Sequence, residues 1–146
     1  MIYYLSLGSN LGEREQTIRE AVRLIGQQVG IVLRCSSFFY SEPWGFESAH
    51  PFCNLCCAVE TSLNPVDVLR ITQAIERTLG RTKKSTNEAE LQTHPAYSDR
   101  TIDIDLIRVF DGQQELRVDT PDLTIPHKWW QQRDFVSIPL SEILSE

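Results

Sequence analysis

Apolar and polar residues follow two periodicities along this chain, and these predict its strands and helices. Alternation predicts a first strand over residues 2–7 and further strands over 29–40 and 52–61. Between residues 13 and 28 the apolar positions recur at i, i+3, i+4 and i+7, which is the spacing of an amphipathic helix. The first half of the chain therefore predicts the order strand, helix, strand, strand.

A second helix is predicted to begin at Asn64. Asn64 is a suitable N-cap, Pro65 favours the first helical position, and Asp67 places an acid in the first turn, where it interacts favourably with the helix dipole. Gly80 predicts the end of this helix. Residues 82–98 lack periodicity and are rich in polar groups, so they predict a long exposed loop of a kind that is usually functional or mobile.

Two carboxylates lie two residues apart in the next predicted strand, which begins near Thr101 and runs to Phe110. Side chains alternate in direction along a strand, so Asp103 and Asp105 share one face, roughly 6.5 Å apart along the backbone, and Ile104 points to the other face. A solvated strand face can carry such a pair by chance. The pair is also typical of a Mg²⁺ site, because Mg²⁺ prefers hard oxygen ligands.

The C-terminal part adds a hairpin and a short tail to this pattern. Residues 111–112 predict a hairpin turn, and residues 115–118 predict the returning strand. A short helix is predicted over 129–133, followed by a last apolar segment over 135–140. The order βαββαβ with these additions predicts one α+β domain of ferredoxin-like type over residues 1–146, an antiparallel sheet with helices packed on one face.

Composition and charge argue against several functional classes. The 146 residues are 41% hydrophobic and 23% charged, which is typical of one globular domain. The net charge of −6 argues against a general nucleic-acid-binding protein. No stretch approaches the roughly 20 apolar residues of a membrane span, and the N-terminus lacks the basic segment of a signal peptide. We therefore expect a cytoplasmic protein, and a monomer because no surplus apolar element is evident.

The four cysteines predict neither a metal site nor a disulfide. Cys53 and Cys56 form a C-x-x-C string, but residues three apart on a strand face opposite sides and cannot bind one ion. We therefore interpret Cys35, Cys53, Cys56 and Cys57 as reduced and mostly buried small residues.

Basic residues near the end of the second helix add to the candidate chemistry of the Asp pair. Residues 77–84 contain four cationic side chains and no acidic one, and this local positive charge is enough to bind a polyphosphate. With Glu76 and Arg100 they are the parts of a metal-assisted phosphoryl-transfer site. Surface ion pairing is the simpler interpretation of Glu76 and Arg81 taken alone.

Phe52 and Asn54 share one face of the third predicted strand. Phe52 is a natural core residue. Burial of the Asn54 amide without hydrogen-bond partners would instead lower the stability of the fold by on the order of 1–3 kcal/mol. Asn54 is therefore the stronger candidate for ligand binding. The loop Gly8–Gly12 lacks the G-K-[ST] ending of a P-loop, so a Walker-type nucleotide site is not expected.

Six segments of the chain occur in the order and form seen in one enzyme family. They are Tyr4–Gly12, Ser36–Tyr40 with Glu42–Gly45, Phe52–Asn54, Glu76 with Gly80–Arg81, Asp99–Leu106 and Ile125–Phe135. Over nearly its whole length the sequence resembles the 6-hydroxymethyl-7,8-dihydropterin pyrophosphokinases. The resemblance implies a folate-pathway enzyme that transfers the pyrophosphoryl group of ATP to the pterin hydroxymethyl oxygen and releases AMP.

The resemblance also implies roles for individual residues. Asp103 and Asp105 would hold two Mg²⁺ ions and, with Arg81 and Arg100, carry out the catalysis. The residues implied in pterin binding are Asn10, Ser41, Pro43, Trp44, Phe52, Asn54 and Phe135. Those implied in ATP binding are Glu76, Arg81, Lys83, Arg100, Ile102, His127, Lys128 and Arg133. The loop over residues 82–98 would close over the site and exclude water.

Two departures from the family pattern concern the loop and the ATP side. The family commonly has an arginine and an aromatic residue just before Gly-Pro-Arg, and this chain has Ala96-Tyr97-Ser98-Asp99-Arg100 there. One loop arginine is therefore absent, and Lys83, Lys84 or His94 would replace it. Lys128 stands where an aromatic residue often follows the Pro-His pair.

Two other functions would use similar residues. A non-catalytic pterin- or nucleotide-binding module on the same fold would need neither the Asp pair nor Arg100. A metal-dependent phosphohydrolase would also use paired carboxylates, but His50, His94 and His127 are not spaced as a metal motif. The partners expected are therefore ATP and 6-hydroxymethyl-7,8-dihydropterin, with no nucleic acid and no membrane.

Overall fold

The computed structural model describes residues 1–10, 12–41, 51–83 and 101–144, with the backbone alone for residues 81–83. Its elements in chain order are β1 (Ile2–Ser9), α1 (Arg14–Gln28), β2 (Ile31–Cys35), β3 (Phe39–Ser41), β4 (Phe52–Glu60), α2 (Pro65–Lys83), β5 (Asp103–Asp111), β6 (Gln114–Glu115), β7 (Val118–Asp119), β8 (Thr124–Ile125), a 3₁₀ turn (Trp130–Gln132) and α3 (Asp134–Leu144). None of the helices in these ranges is both long and apolar enough to cross a membrane.

The main sheet has β1 near its centre, paired with β4 on one side and β5 on the other. The strand order is β2-β4-β1-β5-β6, with β3 also paired to β4, and these pairings are antiparallel. Helix α1 connects β1 to β2, and α2 connects β4 to β5, so the order is that of the ferredoxin-like fold. The predicted α+β class with an antiparallel sheet is confirmed.

One face of the sheet packs against α1 and α2. Tyr3, Leu5 and Leu7 alternate along β1 and are fully buried there, together with apolar side chains of the helices such as Ile18 and Ile75. Full burial of a Leu or Ile side chain contributes roughly 1.5–3 kcal/mol. The two amphipathic patterns therefore form helices chiefly because their apolar faces are buried against this sheet.

The opposite face of the sheet packs against α3. Tyr4 and Cys56 of the sheet belong to a second apolar cluster with Val136, Leu140 and Ile143 of this helix. The expectation that helices cover one face alone is therefore wrong. The physical reason is that these three helix residues recur at i, i+4 and i+7, so a helical segment can cover the second apolar face.

The cysteines lie on both faces, as the strand geometry predicts. Cys53 belongs to the cluster under α1 and α2, and Cys56 belongs to the cluster under α3. Cys57 is also buried, whereas Cys35 is exposed on the edge strand β2, and all four are free thiols. Burial raises the pKa of the Cys56 thiol to about 12, so this thiol stays protonated at neutral pH.

The start of α2 is as predicted, and its end is not. The Asn64 Oδ1 accepts a hydrogen bond from the Asp67 N–H at 2.9 Å, which is an N-cap contact. The helix continues through Gly80 to Lys83, so the predicted stop at Gly80 and the predicted loop start at residue 82 are wrong. A glycine costs a helix only about 1 kcal/mol, and the buried face of α2 outweighs that cost.

The second predicted strand, over residues 29–40, forms two strands, β2 and β3. Ser36 lies between them and is buried, and its hydroxyl accepts a hydrogen bond from the Cys56 N–H at 3.0 Å. The Ser36 N–H donates to the Cys56 carbonyl at 2.8 Å. Such side-chain bonds compete with regular strand pairing, so the chain leaves the strand conformation at this serine.

The predicted hairpin after β5 is confirmed at its turn and is wrong in its length. Gly112 has a φ of 65°, a conformation that favours glycine, and β6 pairs with the end of β5. β7 pairs instead with β8 in a separate sheet, so the predicted return over 115–118 is divided between two sheets. β5 begins at Asp103 rather than near Thr101, and the helix predicted over 129–133 is a 3₁₀ turn.

Two glycines provide a test of this packing. A Cβ at Gly30 would lie 2.1 Å from the Glu60 carbonyl oxygen, whereas a Cβ at Gly80 would meet no described atom within 4 Å. We expect Gly30→Ala to lower the free energy of unfolding by about 3 kcal/mol and Gly80→Ala to raise it by about 1 kcal/mol. Urea unfolding followed by circular dichroism measures both values. Equal effects of the two substitutions would contradict the packing described.

Candidate active site

Strand β1 brings the aspartates of β5 beside residues of β4. In the register of the sheet, Gly8 pairs with Asp103 on one side and with Asn54 on the other, and Ser6 pairs with Asp105. Directly opposed residues of neighbouring strands point to the same face. Asn54 and the two half-buried aspartates therefore share one face of the sheet, as the alternation of each strand predicts.

Gly8 leaves open the space between Asn54 and Asp103. A Cβ at Gly8 would lie 3.0 Å from the Asn54 Oδ1 and 3.6 Å from the Phe52 ring. A side chain at this position would press on the Asn54 amide and cover the strand face. The glycine thus provides a floor that a flat ligand can approach closely beside Phe52.

The Asn54 amide is buried and held in one orientation. Its Nδ2 donates to the Phe39 carbonyl at 3.0 Å and to the Ser41 hydroxyl at 2.8 Å. A backbone carbonyl only accepts, so Nδ2 rather than Oδ1 must face Phe39. Oδ1 then faces the Gly8 side, where it can accept a hydrogen bond from a ligand. Strand β3 therefore supplies the partners that a buried amide requires.

A cleft of about 460 Å³ opens beside the two aspartates. Five residues that the sequence indicated as site residues line it: Asp103, Asp105, Glu76, His127 and Lys128. Helix α2 contributes to one wall, and the segment around β8 contributes to another. The volume lies in the range of small-molecule binding sites.

The cleft has further lining residues that the sequence analysis did not predict. On α2, Leu69 and Gln73 lie two turns and one turn before Glu76 and share its helix face. Helical spacing from Glu76 is a signal that could have found them. Residues 121–124 and Trp129 also line the cleft and were not predicted. Their approach to β5 depends on the tertiary structure and has no local signal in the sequence.

His127 lies at the cleft between a cation and a carboxylate. Its backbone N–H donates to the Ile107 carbonyl at 2.8 Å, and its Nδ1 accepts a hydrogen bond from the Trp129 N–H at 3.3 Å. Burial lowers the pKa of His127 below its usual value of 6.5, the charge of Arg133 lowers it further, and the charge of Asp103 opposes this. The imidazole is therefore neutral at pH 7 and carries its proton on Nε2, where it can donate.

Arg133 and Phe135 lie together at the start of α3. The guanidinium carbon of Arg133 is 5.8 Å from the centre of the Phe135 ring, and both side chains are half-buried. Phe135 borders the apolar cluster under α3, which is on the same sheet face as Asn54. Asn10 is buried just beyond the end of β1, and Ile102 directs its side chain into the core under α1 and α2, away from the aspartates.

Several predicted site residues lie outside the described part of the chain. They are Pro43, Trp44 and Arg100, together with the side chains of Arg81 and Lys83. The backbone of Arg81 and Lys83 belongs to the last turn of α2. Glu76 lies about two turns earlier, in the C-terminal half of the same helix. The roles that the sequence resemblance implies for these five residues stay predictions.

The aspartates fit a Mg²⁺ ion that is shared with a substrate. Among the described residues, no three His, Cys, Asp or Glu side chains form a group that could hold a metal ion. Asp103 and Asp105 instead offer two carboxylates at one edge of the cleft. Mg²⁺ usually keeps several waters and is bound by one or two carboxylates plus substrate phosphates. The donor set is therefore suited to Mg²⁺ carried by a polyphosphate.

Known proteins with similar sequences indicate the family. A family model described as 7,8-dihydro-6-hydroxymethylpterin-pyrophosphokinase (HPPK) matches residues 4–145. The chain belongs to the HPPK family. A relative from Porphyromonas gingivalis, named 2-amino-4-hydroxy-6-hydroxymethyldihydropteridine pyrophosphokinase, is 46% identical over 144 residues, or 97% of this chain and 90% of the relative. A relative of the same name from Bacillus subtilis is 37% identical over 146 residues, or 99% of this chain and 79% of the relative.

A solved HPPK-DHPS structure in complex with substrates has the same fold. It matches with a TM-score of 0.66 and 16% identity, over 98% of this chain and 40% of that chain. This chain thus spans about two fifths of that longer protein. At this identity the likeness concerns the fold alone. The HPPK family predicted from the six sequence segments is confirmed by the family match and the relatives.

We expect the pKa of His127 to respond in opposite directions to its two charged neighbours. In protein freed of divalent ions, Arg133→Gln should raise this pKa and Asp103→Asn should lower it further, because each substitution removes one charge. NMR titration of the histidine ring protons measures both shifts, with His127→Gln to assign the signal. Shifts of the same sign in both variants would contradict the arrangement.

Proposed function

We propose that this protein transfers the pyrophosphoryl group of ATP to the hydroxymethyl oxygen of 6-hydroxymethyl-7,8-dihydropterin, yielding the pterin diphosphate and AMP. The observation that carries the proposal is the position of Asp103 and Asp105 between two different binding surfaces. The strand face with Gly8 and Asn54 suits a flat polar ring, and the cleft suits a nucleotide. The names of the relatives in the HPPK family support the same reaction.

The cleft offers suitable groups for ATP. His127 and Lys128 line it and would present a neutral donor and a cation to phosphate oxygens. Arg133 is close enough to lower the pKa of His127, so its charge acts on the same region. Leu69 and Leu123 line the cleft and would contact the apolar faces of the nucleotide.

Asp103 and Asp105 would hold two Mg²⁺ ions jointly with the phosphates of ATP. Bound there, Mg²⁺ would supply charge neutralisation and polarise the phosphoryl group that is attacked. The two carboxylates share one strand face, so they would also orient the attacking hydroxyl. Arg81 and Arg100 would stabilise charge on the transferred group, and Lys83 would add a further cation beside them.

The pterin would lie on the floor that Gly8 provides. The Asn54 Nδ2 already donates to β3, so Oδ1 would accept a hydrogen bond from the N–H groups on the pyrimidine edge of the pterin. Phe52 would flank the ring, and Phe135, with Arg133 against it, would stack on the ring. The remaining pterin contacts in this proposal come from Asn10, Ser41, Pro43 and Trp44.

Holding the two substrates on either side of Asp103 and Asp105 would supply most of the catalysis. Positioned reactants avoid much of the entropic cost of a bimolecular reaction, and no covalent intermediate with the protein is needed. The segment before the aspartates would cover the site and exclude water, which would otherwise hydrolyse ATP. Both substrates are small molecules, so the proposal needs neither a nucleic acid nor a membrane.

The reaction is tested by incubating the purified protein with ATP, Mg²⁺ and 6-hydroxymethyl-7,8-dihydropterin and separating the nucleotides by ion exchange. We expect AMP and the pterin diphosphate in equal amounts. Asp103→Asn and Asp105→Asn should each reduce kcat by about 10²- to 10³-fold, because each weakens the binding of the Mg²⁺ that would stabilise the transition state. Pterin binding by both variants, measured by calorimetry, should remain detectable.

Asp111→Asn is the matched control, because Asp111 is an exposed aspartate at the far end of the same strand. Its turnover should equal that of the wild type. Release of ADP and free phosphate, or nucleotide turnover that does not depend on the pterin, would overturn the proposal. Full turnover by either site variant would remove the metal assignment.

Gly8→Ala should weaken pterin binding while ATP binding stays unchanged. The added Cβ would lie 3.0 Å from the Asn54 Oδ1 and would displace the proposed acceptor. Loss of one such hydrogen bond corresponds to an affinity lower by about tenfold. Calorimetry with the pterin and a non-hydrolysable ATP analogue measures each affinity. Gly26→Ala is the control, because its Cβ would be an ordinary 3.7 Å from Val32. Unchanged pterin affinity in Gly8→Ala would refute the placement of the ring.

A further inference from the structure

The outer edge of β5 has little strand cover beside the aspartates. On its inner edge β5 pairs with β1 along most of its length. On its outer edge, in the described ranges, β6 pairs with Phe110 and Asp111 only. Backbone groups of β5 near Asp103 and Asp105 therefore need other partners, because sheltered N–H and C=O groups are seldom left without hydrogen bonds.

A side chain and a backbone group provide such partners. The Glu76 Oε2 accepts a hydrogen bond from the Ile104 N–H at 2.7 Å. The His127 N–H donates to the Ile107 carbonyl at 2.8 Å. Ile104 is the residue between the two aspartates, so the Glu76 contact acts on the peptide group that joins Asp103 to Ile104.

The position of Glu76 carries an electrostatic cost. Glu76 is half-buried and lines the same cleft as Asp103 and Asp105, so its carboxylate adds to the repulsion among like charges there. A glutamate that served only the polar surface of α2 would point to water. The charge-assisted bond to the Ile104 N–H offsets the cost and holds the carboxylate against the strand.

We propose that Glu76 is a positioning residue for the two aspartates. By fixing the peptide group before Ile104, it sets the directions in which the side chains of Asp103 and Asp105 leave the strand, and therefore the spacing of their carboxylates. The inference rests on the proposed function, in which those carboxylates orient the reacting groups. Glu76 then acts through the strand, instead of through the direct ATP contact that the sequence resemblance implies.

Hydrogen exchange tests the contact without any turnover. In protein free of nucleotide and metal, Glu76→Ala should speed exchange of the Ile104 amide by about tenfold, the equivalent of one lost hydrogen bond. Glu76→Gln should change the exchange rate less, because the side-chain oxygen of the glutamine can still accept the hydrogen bond from the Ile104 N–H. Glu20→Ala is the matched control, since it removes an ion-paired carboxylate from α1, outside the site.

Kinetics then separate positioning from direct binding. Glu76→Ala should lower kcat by about 10²-fold, because the two aspartates would shift from their positions. The KM for ATP should change far less. Glu76→Gln should recover part of the lost kcat. Glu20→Ala should match the wild type in both parameters.

Two results would overturn the inference. One is an Ile104 amide that exchanges at the wild-type rate in Glu76→Ala, and the other is a raised KM for ATP at unchanged kcat, as expected of a direct ATP ligand. A wild-type protein that forms no pterin-dependent AMP would overturn the proposed function instead, and amide exchange would still test the contact. Glu76→Gln keeps the volume of the side chain, so it provides a folded variant if Glu76→Ala unfolds.

Discussion

The site depends on the double pairing of β1, with β4 on one side and β5 on the other. A slip of one residue in either pairing would turn every side chain of the slipped strand to the other face. Tyr3, Leu5 and Leu7 prevent this, because a slip would remove them from the core under α1 and α2. The apolar residues of β1 therefore fix the positions of Asn54 and Asp103 on either side of Gly8, although none of them faces the site.

The parts of the site that follow from strand geometry could be predicted from the sequence. Alternation alone places Asp103 and Asp105 on one face, and it separates Cys53 from Cys56 whatever the strand packs against. The N-cap at Asn64 could be predicted for a similar reason, because its contact joins residues three apart in the chain. Each of these features needs only the local conformation of the backbone.

The parts that depend on contacts between distant segments could not be predicted. Gly80 stays helical because α2 buries its apolar face, and α3 covers the second face of the sheet because that face is itself apolar. The wall of the cleft reaches β5 through the backbone bond between His127 and Ile107. The sequence drew attention to Glu76 through its charge, whereas its bond to Ile104 is visible only in the folded chain.

The charges of the cleft explain why metal and nucleotide would bind together. Among the described residues, four acidic ones line one cleft of a chain whose net charge is −6: Glu76, Asp103, Asp105 and Asp122. In the proposed function, a polyphosphate would bind there together with the cations that neutralise it. The bond from the Ile104 N–H compensates the Glu76 carboxylate, and in the proposed function Asp103 and Asp105 would hold the divalent ions. In the proposed function, a neutral His127 would donate to phosphate without adding a positive charge that competes for Asp103 and Asp105, so the cleft would favour metal-bound ATP over the free nucleotide.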